Sequence, residues 1–557
     1  MSEFRRIAFL ETLHHEPYIR PRFIKPGNNH MRLPQYCLAI FITSILIPSC
    51  KSRHEVDAEK IETLRVRAEE LIKAQSLMGW NSWVLGEQSN QDSLYKANAD
   101  LFTKENIALA RRAEGEEPDT VQKQRLLFLR RYLTSEYVGK TVAPLTDKVS
   151  NMEAAARITF EGKEIGYYEV NTIMANEPDR QRRARLYAAL DPILDSLNVI
   201  HKEIEQVNQR LAKDLGYPDY TAMAEDIKGF SLKECRELSE EILAFTHSSY
   251  TKLLKEMLAG QLKMAPENFF RADVAALLRN KQFDKYFPES SMIDAVKKTY
   301  AGLGVDIDRQ KNLTIDSDKR PTKNPRAVCY AIDIPSDVRL SIKPIGGYDD
   351  YSALFHEMGH GQHYANTKEN ALEFKYMGEW TVTENYAFLS QYLLANQAWL
   401  RLHTTMPIPA LKDFVRFQAF YRLYFVRRYA AKVLYELELH SGVNSPQTRY
   451  VELQSAAIGF NTLPSDEKRY LADIDALYYS ASYLRAWLLE AQLNAALIKE
   501  FGVNWFENPR AGERLRSLWA KGDRLNGDEL ATLIGYDGIH PNALMDEVRS
   551  MMLFSTK

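Results

Sequence analysis

The chain is 557 residues long, 45% hydrophobic and 26% charged, with 72 Lys+Arg against 74 Asp+Glu. This ordinary globular mixture excludes a collagen-like repeat, a wholly disordered chain and a polytopic membrane protein, and the near-zero net charge supplies no broad basic footprint for nucleic acid. Four cysteines in this length exclude a disulfide framework.

Residues 1–30 carry scattered Arg, His and Pro without helical periodicity. They read as an N-terminal extension from an upstream start, with no fold of their own. Arg32 then precedes an apolar run at 38–47 (LAIFITSILI) that closes on Ile47-Pro48-Ser49-Cys50. The run is short for a membrane span, which needs about 20 residues, and has the length of a signal-peptide apolar region. An apolar residue, a small residue and Cys in that order resemble the bacterial lipobox, although Pro48 is unusual at its position. The resemblance implies a signal peptide over 31–49 and a lipidated Cys50. It also implies attachment to a membrane of the bacterial cell envelope and a mature domain over 50–557.

From about residue 56 the pattern is helical. In 61–78, Ile61, Leu64, Ala68, Leu71 and Ile72 recur at three-to-four spacing among charged residues. Similar patterns predict helices near 119–137, 178–213, 232–261, 290–303, 410–441 and 477–500. Ser231 with Glu234 three positions on reads as a capping box, and Asn176-Glu177-Pro178-Asp179 reads as a helix start. No repeat period or low-complexity linker interrupts the chain, so one continuous helical body is expected. The exception is a two-strand ladder over 326–334 and 337–343, rich in Val, Ile and alternating apolar residues.

Directly after that ladder, residues 352–365 read SALFHEMGHGQHYA. His356 and His360 of this HExxH pattern lie one turn apart on one helix face, the spacing for two imidazoles on one Zn²⁺. Glu357 is then placed to act as general base on water at the zinc. A catalytic zinc needs a third protein ligand. Glu384, at the start of a second predicted helix, is favoured, with Glu379 and His363 as competitors. A Tyr/Arg-rich helix holding Arg422, Arg427 and Arg428 suits either a peptide channel or ordinary packing.

HEMGHGQH followed by Glu384 resembles the gluzincin oligopeptidases, namely the thimet oligopeptidase/oligopeptidase F family and the related angiotensin-converting enzyme family. The resemblance is carried by residues 326–390. Val328-Cys329-Tyr330-Ala331 is similar to the substrate-binding strand of angiotensin-converting enzyme, with Tyr330 where that family has His. Asp337-Val338-Arg339 is similar to thermostable-type metallocarboxypeptidases of the same fold. Asp475-Ala476-Leu477-Tyr478-Tyr479-Ser480 resembles the segment that carries an oxyanion-stabilising tyrosine. Tyr479 is the first choice for that role, then Tyr483 and Tyr478. Arg469 stands where both families have a His.

The resemblance implies an all-α, two-lobed ellipsoid with a deep central substrate channel and one zinc per chain. His356, His360 and Glu384 are the expected metal ligands, and Tyr330, Ala331, His363 and Arg469 the expected substrate contacts. The implied activity is hydrolysis of short peptides, by an oligopeptidase, a peptidyl-dipeptidase or a carboxypeptidase. An inactive peptide-binding lipoprotein is the alternative, and no nucleic-acid partner is expected.

Overall fold

The computed structural model describes residues 52–88, 90–324 and 326–556. The expected extension, signal segment and lipidation site at Cys50 lie outside the described residues. Helix accounts for 73% and strand for 5% of the structure, so the all-α expectation with small sheets holds. Among the described residues, no helix is long and apolar enough to cross a membrane.

The helices that frame the site are α1 (Arg53–Trp80), α2 (Thr120–Ala155), α3 (Asp191–Asp214), α4 (Tyr220–Lys228), α5 (Leu232–Met257), α6 (Tyr348–Asn366), α7 (Trp380–Tyr392), α8 (Ile408–His440), α9 (Tyr479–Phe501) and α10 (Asn542–Thr556). Each has local reasons to start where it does. Ser52 and Glu55 satisfy each other's backbone N–H groups at the head of α1. Ser231 accepts from the Glu234 N–H at the head of α5, while the Leu232 N–H goes to the Glu225 carboxylate. The helix expected over 178–213 is broken. Asp179 caps a short helix, Arg180–Ala188, and a second starts at Asp191 with Pro192 in its first turn. Pro192 has no N–H to return to Ala188, so the ladder cannot run through.

The predicted ladder forms as β4 (Val328–Asp333) antiparallel to β5 (Asp337–Ser341). A strand not foreseen, β3 (Leu313–Asp316), pairs parallel to β5, so the order is β3-β5-β4 and β4 is an edge strand. A second unforeseen element is the hairpin of β1 (Arg157–Phe160) and β2 (Lys163–Gly166). Its two turn residues, Glu161 and Gly162, both have positive φ, as a tight hairpin turn requires.

Helix α6 packs against α7, and α7 packs against α9; α8 packs against α5, α9 and α10. Three of the arginines in this core are structural. Arg422 of α8 pairs with Glu490 of α9 and Glu547 of α10. Arg427 donates to the Ala457 and Leu243 carbonyls and to Thr246. Arg428 pairs with Asp473. The packing account of this Tyr/Arg helix is the one observed.

Candidate metal centre

His356, Glu357 and His360 sit on α6 and Glu384 on α7, and the approach of these two helices decides the site. They touch at Gly359. A Cβ at that position would lie 2.4 Å from the Tyr386 carbonyl oxygen and 2.6 Å from the Ala387 Cα. Only a residue without Cβ lets the α7 backbone come this close. Glu384 is thereby carried into the face that the two histidines share.

The imidazoles are oriented from behind. His356 Nδ1 is 2.9 Å from Gln391 Oε1, and Gln391 in turn donates its amide to Ser352. His360 Nδ1 is 2.8 Å from Thr383 Oγ1, whose own proton goes to the Tyr364 hydroxyl. Both partners are therefore acceptors toward the rings, which places the ring protons on Nδ1 and turns the Nε2 lone pairs inward. Those Nε2 atoms face one oxygen, Glu384 Oε2, at 3.4 and 3.8 Å. The three side chains form a group able to hold a metal ion, their ligand atoms all within 4.8 Å of one another.

Three ligands about 2.0–2.1 Å from a tetrahedral ion stand roughly 3.3–3.4 Å apart; His356 and Glu384 have this spacing at 3.4 Å, and His360 stands wider, at 3.8 Å from Glu384. Burial and charge agree. Glu384 is fully buried, and although burial favours its protonated form, the two histidines outweigh this and lower its pKa. His356 is likewise penalised by burial, but Glu384 raises its pKa. Burial pushes His360 down to about 3, so its imidazole is neutral, as a metal ligand must be.

Glu357 lies on the edge of this group. Its Oε2 accepts the backbone N–H of Cys329 at 2.7 Å, which ties the carboxylate to strand β4. Burial, opposed by His356 and reinforced by Glu384, pushes it up to about 7. That matches a group that must take up and give back a proton near neutrality.

The tyrosines divide. The Tyr479 hydroxyl donates to Glu384 Oε1 at 2.8 Å. Tyr483, one turn on, packs its ring 4.8 Å from that of Tyr479. Burial first, then the charges of Glu384, Tyr429 and Glu357, raise its pKa, so its hydroxyl stands in the field of the site. Tyr478 points elsewhere. Its hydroxyl bonds Thr221 at 2.8 Å and its ring stacks on Tyr220. The cause is local. Leu477 and Tyr478 both hold left-handed φ, 51° and 53°, which is strained for bulky residues, and the turn sends consecutive tyrosines in different directions.

The other expected residues fall outside the group. Glu379 caps α7 and spends its carboxylate on Arg485 and the Gly527 N–H. His363 is fully buried between the Tyr364 and Tyr386 rings, its Nε2 4.0 Å from Asp523 Oδ1. Arg469 stacks over the Tyr187 ring at 4.0 Å. Tyr330 packs beneath α1 against Trp80 and Gly79. Ala331 is on the same strand as Cys329, two residues on, so its backbone N–H faces the same edge. Sequence reasoning missed Gln391, Thr383 and the Cys329 N–H. Gln391 stands two helical turns after Glu384 and Thr383 directly before it, and this nearness along α7 is the one signal that marks them.

No family model matches this chain, and no curated protein matches it either.

Proposed function

We propose that this protein is a zinc peptidase of the gluzincin kind, hydrolysing peptide bonds in short peptides as an oligopeptidase or peptidyl-dipeptidase. The observation that carries the reading is the convergence of two inward Nε2 atoms and Glu384 Oε2, beside a second carboxylate held against a strand edge. Two imidazoles and one carboxylate are the donor set that suits a catalytic zinc, and such an ion supplies Lewis acidity toward a carbonyl and toward water at neutral pH.

The chain's own groups supply the rest. Glu357 takes a proton from the attacking water and returns it to the leaving amine, and its raised pKa suits both transfers. The Cys329 N–H keeps that carboxylate from rotating away between them. The free edge of β4 offers the Ala331 main chain to an extended peptide by strand addition. Tyr479 holds the second oxygen of Glu384 and so fixes the ligand. Tyr483 is the donor for negative charge developing on the carbonyl oxygen.

On this reading the helical body is an ellipsoid with a channel narrow enough to exclude folded proteins. The lipobox-like segment would tether it to a membrane of the bacterial envelope through Cys50. The test is a peptide library incubated with the purified protein, with and without a chelator, and read by product mass spectrometry. Chelator-sensitive cleavage supports the reading, and the product lengths distinguish endopeptidase, dipeptide-releasing and carboxypeptidase modes. Undiminished cleavage after complete metal removal would overturn it.

A further inference from the structure

Tyr479 reaches Glu384 from the first residue of α9, directly after the left-handed pair Leu477-Tyr478. No side chain caps that helix start, and two consecutive bulky residues at positive φ stay there only if the surroundings hold them. What holds them comes from α3, α4 and α8.

The ends of the turn are tied to α8. Glu436 accepts the Asp475 backbone N–H at 2.7 Å on one oxygen and the Ser480 hydroxyl on the other. The centre of the turn is tied to α4. Asp219 caps that helix by accepting the Ala222 N–H, which fixes Tyr220 and Thr221 in its first turn. The Tyr220 hydroxyl accepts the Leu477 backbone N–H at 2.7 Å, and Thr221 bonds the Tyr478 hydroxyl.

The two central residues are not held equally. The Tyr478 ring has a second hold, packed against the rings of Tyr220 at 6.1 Å and His440 at 5.0 Å. His440 is itself braced, its Nδ1 2.8 Å from the Glu205 carboxylate of α3. For the Leu477 N–H the acceptor is the Tyr220 hydroxyl, and a phenylalanine ring in the same place offers none.

We propose that Tyr220 is a positioning residue for the metal group: its hydroxyl holds the Leu477-Tyr478 turn in its left-handed form, and that form aims Tyr479 at Glu384. Without the bond the pair relaxes to right-handed φ, the entry to α9 swings, and Glu384 Oε1 loses the Tyr479 hydroxyl. A side chain of α4 thereby sets a ligand carried by α7. The inference rests on Glu384 as a metal ligand and not on what the centre hydrolyses.

Zinc affinity of the full chain is measured by competition with a chromogenic chelator for native protein, Tyr220→Phe, Tyr479→Phe and the double variant. Loss of a partner that orients a ligand weakens a metal site by about 10–100-fold, so each single variant should bind zinc about ten-fold or more weaker than native protein. Because Tyr220 acts through Tyr479, the double variant should match Tyr479→Phe to within about three-fold. Tyr250→Phe is the control for a lost buried hydroxyl bond, there to the Ile458 carbonyl, and should bind zinc as native protein does. Native affinity in Tyr220→Phe would overturn the proposal. So would losses that multiply in the double variant, since Tyr220 would then act independently of Tyr479. The crystal structure of metal-free Tyr220→Phe is the second measurement. It should show the Tyr479 hydroxyl off Glu384, and a bond kept there would overturn the proposal as well. Failure of native protein to bind zinc would refute the metal reading instead, and the metal-free structure would then decide this proposal by itself.

Discussion

Gly359→Ala adds one methyl group at the contact between α6 and α7. The added carbon would lie 2.4 Å from the Tyr386 oxygen and 2.6 Å from the Ala387 Cα, and ordinary contact needs about 3.5 Å. Both obstacles are backbone, so no rotamer change relieves them, and α7 must retreat by about 1 Å. Overpacking of this kind costs about 1–3 kcal/mol, offset by about 1 kcal/mol from the better helix propensity of alanine. The net stability change is therefore small, but the site change is not. Metal sites tolerate about 0.2 Å in donor position, and a 1 Å retreat takes Glu384 outside that. Zinc affinity, measured by competition with a chromogenic chelator, should fall by roughly 100-fold or more while the melting temperature moves little. Gly361→Ala is the control on the same helix. Its added carbon meets a Leu313 methyl at 3.2 Å, a flexible side-chain end, so affinity should stay within a few-fold. Equal zinc affinity in Gly359→Ala and native protein would refute the claim that this contact sets the donor spacing.

Other outcomes follow from the same geometry. Glu384→Ala should lose bound zinc by metal analysis. Glu379→Gln should keep it and be destabilised instead, because Arg485 and the Gly527 N–H lose a charged partner. Tyr483→Phe should lower kcat by about 10²-fold or more, whereas Tyr478→Phe should leave turnover within a few-fold, since its hydroxyl serves Thr221. Asp473→Asn should cost about 3–5 kcal/mol in denaturant unfolding, by stranding buried cations. Burial alone would raise the Asp473 carboxyl, but Arg428, Lys432 and Arg271 outweigh it and hold it far below the ordinary aspartate value of about 3.9. Its stabilisation is thus complete above that value and is lost as pH falls through the lower folded one. The native protein should lose stability toward acid more steeply than Asp473→Asn, and parallel pH profiles would contradict this.

What could be read in the sequence is what short-range spacing encodes. His356, Glu357 and His360 are fixed relative to one another by one helical turn, and Glu384 sits at a helix start after a loop of suitable length. The tyrosines are ranked by resemblance alone, Tyr479 before Tyr483 and Tyr478, because a left-handed pair at Leu477-Tyr478 decides which ring reaches Glu384, and no residue type there announces it. Strand β3 alternates apolar and polar residues (LTID) but is only four residues long, and pairing with β5 makes it a strand. Arg469 and His363 carry the chemistry of a site in their side chains, but their positions are set by long-range packing against Tyr187 and around Asp523.

The central claim is that a zinc held by His356, His360 and Glu384 works with Glu357 as the proton-transferring base. The most direct measurement is hydrolysis of an internally quenched peptide by Glu357→Gln protein whose zinc content is determined on the same sample. The account predicts about one zinc per chain and a rate at least about 10³-fold below that of the native protein, within the range that general-base removal produces. A zinc-loaded variant that cleaves at the native rate would contradict it.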